Sequence, residues 1–220
     1  MSELESIIIE TQTNPDAAVI WLHGLGADGS DFVPIIDQMQ LPSDMAIRFI
    51  FPHAPVRPVT INQGYQMSAW YDISGLSITD EEDEAGIRES SAILKQLCLS
   101  QEEAGIPASR IVVAGFSQGG AIALHCGCRY EKALAGIMAL STYMPLPDTL
   151  ADEISEEAIE IPVFMAHGRQ DDVVNYEAGQ SSKTLLETND MHVAWYEYDM
   201  GHSVCLEEIQ HIRQWLGEIL

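Results

Sequence analysis

Arg110-Ile-Val-Val-Ala-Gly-Phe-Ser-Gln-Gly-Gly120 is the stretch around which the rest of the chain is organised. Ile111 to Ala114 is a short, apolar, β-branched run of the kind that forms a strand buried on both faces. It stops at Gly115-Phe116-Ser117-Gln118-Gly119, a G-x-S-x-G, and passes into Ala121-Ile122-Ala123-Leu124-His125, which reads as a helix. A strand turning this sharply into a helix needs residues without bulk two before and two after the turn residue, because side chains there would collide. Ser117 is then pushed outward at the strand tip, its hydroxyl at a helix N-terminus and unable to retreat into the core. That is the context of a nucleophile elbow. The competing reading is a glycine-rich turn that merely binds an anion; the strand and helix on either side favour the nucleophile.

Working outward, the chain alternates strand-like and helix-like segments. Ser6 to Glu10 reads as an edge strand, and Ala17 to Leu22 as a buried strand running into the glycine-rich loop His23-Gly-Leu-Gly-Ala-Asp-Gly29. A helix is expected from Asp31-Phe32 to Met39, with Asp31 a candidate cap. Ile47 to Phe51 is a further strand. The long, proline-punctuated segment from Pro52 to about Asp80 reads as a binding loop, and Met67 to Ile73 within it as a pocket wall, with core packing of Trp70 the alternative. A helix is expected over Glu81–Glu103, strands over Leu134–Leu140, Ile161–Ala166 and Val193–Tyr198, and helices over Tyr176–Glu187 and Leu206–Leu220. The last carries Leu206, Ile209, Ile212, Leu216 and Ile219 on one stripe. Without repeat or linker, 220 residues suit a single α/β domain over residues 1–220, built on a mainly parallel sheet with helices on both faces.

Open α/β sheets place their chemistry beyond the carboxyl ends of the strands. Ser117, Asp171 and His202 each follow a different expected strand, in the order Ser…Asp…His, with a glycine-bearing loop earlier in the chain. This is the α/β-hydrolase arrangement. The residue types suit acyl transfer. Serine is a poor nucleophile until a base takes its proton, and histidine, with an unperturbed pKa of about 6.5, supplies a neutral imidazole for that. A carboxylate fixes the tautomer and stabilises the imidazolium. The backbone N–H groups of Leu25 and Gln118 are the expected oxyanion donors. Asp172 and Asp199 are rival acids. His23 and His167 fall near the site as loop hydrogen-bonders, and His53, His125, His192 and His211 as surface or packing residues. A metal site from His23, His167 and Asp171 is an alternative that no helical His-pair motif supports.

The formal net charge of −24 argues against nucleic acid or an anionic membrane as partner. Two acidic clusters, Asp80 to Glu84 and Asp152 to Glu160, read as solvated surface. The acidic start Met1-Ser-Glu-Leu-Glu5 lacks the pattern of a secretory leader, and no apolar run approaches the ~18 residues needed to cross a membrane. A cytoplasmic setting without stable membrane insertion is expected, and the four cysteines read as buried, reduced thiols.

With Leu22-His-Gly-Leu-Gly-Ala-Asp28, Phe51-Pro-His-Ala-Pro55, Trp70-Tyr-Asp-Ile73, Gly115-Phe-Ser-Gln-Gly-Gly120, His167-Gly-Arg-Gln-Asp171 and Gly201-His202, the chain resembles the phospholipase/carboxylesterase family of α/β-hydrolases nearly end to end. The resemblance selects Asp171 over Asp172 as the acid, although the family usually has Pro after it. It places Gly75-Leu-Ser77 as an acyl-contacting loop, with Leu76 and Trp70 as substrate-binding residues. It implies a serine esterase that cleaves carboxylic esters through an acyl-serine, without metal or cofactor, on small-molecule or lipid acyl esters, with loose homodimers possible. The alternatives are an acyl-protein thioesterase acting on S-acylated protein, a lysophospholipase, and, from another class, a non-catalytic hydrolase-fold binding protein.

Overall fold

The computed structural model describes residues 4–75 and 82–220. Its main sheet is built from β1 (Ser6–Glu10), β2 (Ala17–Leu22), β3 (Ile47–Pro52), β6 (Ile111–Phe116), β7 (Gly136–Leu140), β8 (Val163–Gly168) and β9 (Val193–Tyr198). A separate antiparallel hairpin, β4 (Val56–Val59) and β5 (Tyr65–Ser68), interrupts the segment expected to be loop. The seven strands lie in the order β1-β3-β2-β6-β7-β8-β9. Only the β1–β3 pairing is antiparallel. β2, β7 and β8 are buried at every residue, as strands covered on both faces must be.

Alternate residues of β2 sort the two cores. Ala18, Ile20 and Leu22 pack toward Ile87 and Leu94 of α2 (Glu84–Glu103), Ile122 of α3 (Gln118–Gly127) and Leu186 of α6 (Tyr176–Thr188). Ala17, Val19 and Trp21 pack toward Ile35 and Met39 of α1 (Val33–Met39) and Ile212 and Leu216 of α7 (Leu206–Ile219). Two short helices, α4 (Leu150–Glu153) and α5 (Glu156–Ile159), lie in the acidic stretch. The helices following the adjacent strands β2 and β6 thus leave on opposite faces. The chain ends of these two strands diverge there, opening a crevice at the switch in strand order.

Several boundaries differ from expectation for physical reasons. β8 continues through His167 and Gly168, because the β9 partners Glu197 and Tyr198 extend the ladder. Asp31 does not cap α1; the cap residue is Phe32 with no side-chain bond, while Asp28 Oδ1 accepts from Ser30 N at 2.7 Å. The acidic clusters are not simply solvated. Asp83 caps α2 by accepting from Gly86 N at 2.9 Å. Glu153 accepts from Arg88 and Arg129 at 2.8 and 2.7 Å, and these bonds hold its carboxyl down to about 2. The hairpin was obscured by Pro55 and Pro58, and it closes through Gln63 and Gly64, both at positive φ. Among the described residues no helix is long and apolar enough to cross a membrane.

Candidate active site

Ser117 caps α3 at φ 54°, ψ −122°, a conformation that disfavours L-residues and that the surroundings must enforce. They do so with backbone bonds: Ser117 N donates to Leu140 O at 2.8 Å, and Thr142 Oγ1 donates to Ser117 O at 2.6 Å. The demand for small neighbours is met literally. A Cβ on Gly115 would lie 2.3 Å from Gly119 C, and one on Gly119 would lie 2.4 Å from Leu22 O. Both obstacles are backbone and cannot rotate away. Gly119→Ala is therefore expected to cost about 1–3 kcal/mol of overpacking, seen as a lowered Tm, and to depress kcat by displacing the β2 loop.

Ser117 is 8% exposed, and among the described residues none hydrogen-bonds its hydroxyl. His202 stands beside the elbow, its ring centroid 4.6 Å from that of Phe116. Its Nδ1 lies 2.7 Å from Asp171 Oδ2, so an Nδ1–H donates to the carboxylate and leaves Nε2 for chemistry. Asp171, whose side chain has no exposed surface, is itself held: Oδ1 accepts from Val173 N and Val174 N, each at 2.9 Å. The rivals are placed elsewhere. Asp172 is exposed, and Asp199 accepts from Arg169 at 2.8 Å on the surface. Asp171→Asn should accordingly lower kcat by about 10⁴, the scale of a mis-set tautomer, whereas Asp199→Asn should change it less than twofold; steady-state kinetics on one ester compares them.

The two histidines flanking the site are locked into the fold. His23 Nδ1–H donates to Gly24 O at 2.8 Å and Nε2 accepts from Ala54 N at 3.1 Å, so neither nitrogen is left for a metal. Burial lowers its pKa. Burial likewise lowers the pKa of His167, whose Nε2–H donates to Val174 O at 2.8 Å, 3.6 Å from Asp171. Among the described residues no three His, Cys, Asp or Glu side chains are grouped to hold a metal ion.

Leu25 sits in the loop after β2, which is tied to the hairpin by Gly26 N donating to Ser68 O at 2.8 Å. Gln118 opens α3, where the first N–H groups have no partner within the helix. Its side chain does something the sequence did not announce. Oε1 accepts from Trp70 N at 2.9 Å and Nε2 donates to Tyr71 O at 2.7 Å. Trp70 Nε1 in turn donates to His23 O at 2.9 Å, with the indole 5.3 Å from the His23 ring. Trp70 has no exposed surface. Trp70, expected as a substrate wall with core packing as the alternative, is thus buried, its indole N–H holding the β2 loop. The expected contact Leu76 lies outside the described residues. The hydroxyls of Tyr71 and Tyr143 are 2.7 Å apart. Thr142 and Tyr143 had no motif to mark them.

A parallel sheet with a serine elbow at its switch point, and a carboxylate-bound histidine beside it, defines an α/β-hydrolase. The model of the phospholipase/carboxylesterase family matches residues 4–220, and the chain belongs to that family. It is an ester or thioester hydrolase. It is 40% identical to acyl-protein thioesterase 1 of Neurospora crassa over 97% of this chain and 91% of that one. Its identity to acyl-protein thioesterase 1 of Yarrowia lipolytica is 36%, over 99% and 98%. Among solved structures it is similar to Zea mays acyl-protein thioesterase 2, with a TM-score of 0.87, 32% identity and 98% of each chain covered.

Proposed function

We propose that the chain hydrolyses acyl esters and thioesters through an acyl-Ser117 intermediate, with Ser117, His202 and Asp171 as the triad. The observation that carries this reading is the Asp171–His202 bond at 2.7 Å beside an elbow serine whose hydroxyl is unspent. As Ser117 Oγ bonds to the acyl carbon, its proton passes to His202 Nε2. The oxyanion is met by the N–H groups of Leu25 and Gln118. The bond from the acyl carbon to the leaving oxygen or sulfur breaks, and His202 returns the proton to that atom. Water, deprotonated by His202, then releases the acid and restores Ser117.

The thioesterase names of relatives at 36–40% identity support S-acylated polypeptides as substrates beside small or lipid esters. The test is hydrolysis of p-nitrophenyl esters from two to sixteen carbons, set against a thioester of matched acyl length. A higher kcat/KM on the thioester supports the polypeptide reading. An ester preference that peaks at two to four carbons returns the enzyme to small esters, and inactivity on all of them overturns the hydrolase mechanism.

A further inference from the structure

The imidazole that takes the proton of Ser117 must also deliver it to the leaving atom. That atom therefore sits within hydrogen-bond reach of His202 Nε2, and the remainder of the leaving group departs on the His202 side of the elbow. A groove of about 320 Å³ between α1 and the start of α7 reaches His202 and Phe116. His202 and Phe116 form its inner end, Phe32 and Ile209 line it, and Asp31 and Gln38 stand at its rim. The ring centroids of Phe32 and Phe116 are 5.5 Å apart, and those of Phe116 and His202 4.6 Å, so an aromatic surface runs from the groove to the catalytic imidazole. The groove is at the small end of ligand pockets, far larger than a thiol or alcohol group alone requires.

The chemistry of the groove selects its occupant. An aromatic floor with a carboxylate at the edge fits a side chain with an apolar stem and a cationic tip, which lays its methylenes on the rings and its charge at the rim. Asp31 is exposed and makes no ion pair among the described residues. The chain carries 34 acidic against 10 basic residues, so a cationic partner is favoured on approach.

We propose that this groove is the leaving-group site, and that it holds the polypeptide side of an S-acylated cysteine, with a neighbouring Lys or Arg over Phe32 and Phe116 and its charge at Asp31. The proposal rests on the thioester reading above and adds where the thiol-bearing chain lies and what sequence it carries.

Three S-octanoyl-cysteine peptides that differ only in a flanking Lys, Ala or Glu test it, alongside p-nitrophenyl octanoate, on the wild type, Asp31→Lys and Gln38→Trp. The wild type should favour the Lys peptide over the Glu peptide by about tenfold in kcat/KM, chiefly through KM. Asp31→Lys should shrink that ratio at least fivefold, because a change of two units in a net charge of −24 leaves the overall field nearly unchanged while inverting the local one. Gln38→Trp, which narrows the groove, should raise KM for all three peptides relative to p-nitrophenyl octanoate. An equal Lys/Glu ratio in the wild type and Asp31→Lys overturns the proposal, since the preference then belongs to the whole surface. Hydrolysis of p-nitrophenyl octanoate without any hydrolysis of the peptides also overturns it while leaving the serine mechanism standing. Inactivity on every substrate removes the mechanism on which it rests.

Discussion

Ser117→Ala is expected to lower kcat on p-nitrophenyl octanoate by about 10⁵, with the folded state intact. Alanine fits the elbow sterically, so the Tm should stay within a few degrees of the wild type. What is lost is the atom that bonds to the acyl carbon. His202→Ala should cost nearly as much, and the double variant no more than either alone, because nucleophile and base act as one unit. On the proposed mechanism, the residual rate over water comes from the oxyanion donors of Leu25 and Gln118 and from substrate binding. A fluorophosphonate should add one mass increment to the wild type and none to Ser117→Ala. Retention of more than a hundredth of the wild-type kcat by Ser117→Ala would mean that another group carries the chemistry.

The second large effect is on stability rather than rate, and it arises from Glu208. This residue is third in α7, the position from which a carboxylate reaches back to the cap N–H. Its side chain is wholly buried, and among the described residues neither carboxylate oxygen makes a well-formed hydrogen bond, the Cys205 N–H being too poorly placed to count as one. Burial pushes its carboxyl up to about 8, with the Cys205 N–H acting in the opposite sense. The folded state then holds a proton that the unfolded chain has released, so stability falls as pH rises from about 4.5 to about 8. Each unit corresponds to about 1.4 kcal/mol, which makes the whole effect on the order of 5 kcal/mol.

Other groups slope the opposite way, but in a lower window. The pKa values of His23, His125 and His167 are depressed by burial, so their contribution is gained as pH rises and is complete above the ordinary histidine value of 6.5. Between pH 6.5 and 8 the slope belongs to Glu208. Glu208→Gln, neutral at every pH, should raise the Tm at pH 8.5 and leave it nearly unchanged at pH 4.5. Urea melts of both proteins across that range would measure the difference. A pH-independent difference between them would show that the carboxyl is ionised throughout and finds a partner when it is.

The strands and helices were legible in the sequence because their signals are local. β6 and the start of α3 follow from β-branched residues, then glycines, then small helix formers, and the clash that forbids a side chain at position 119 involves loops anchored to the neighbouring strand. The alternation of segments was enough to require a parallel sheet, and with it a site at the carboxyl ends. The hairpin β4–β5 escaped because its prolines imitate loop, and its stability comes from pairing that no short window contains.

What the sequence by itself determined is the set of reactive residue types and the strand ends on which they stand. The resemblance already pointed to Asp171; what holds that carboxylate in place is visible only in the tertiary structure, where Asp199 accepts from Arg169 on the surface and the N–H groups of Val173 and Val174 hold Asp171 inward. The same is true of Trp70, for which the sequence left pocket wall and core packing both open, and which the Gln118 amide and the His23 carbonyl hold in a buried position. Side-chain type and spacing along the chain are short-range properties. The choice among equivalent groups depends on partners about fifty residues away in the case of Trp70 and Gln118, and about thirty in the case of Asp171 and His202, which only folding brings within 3 Å.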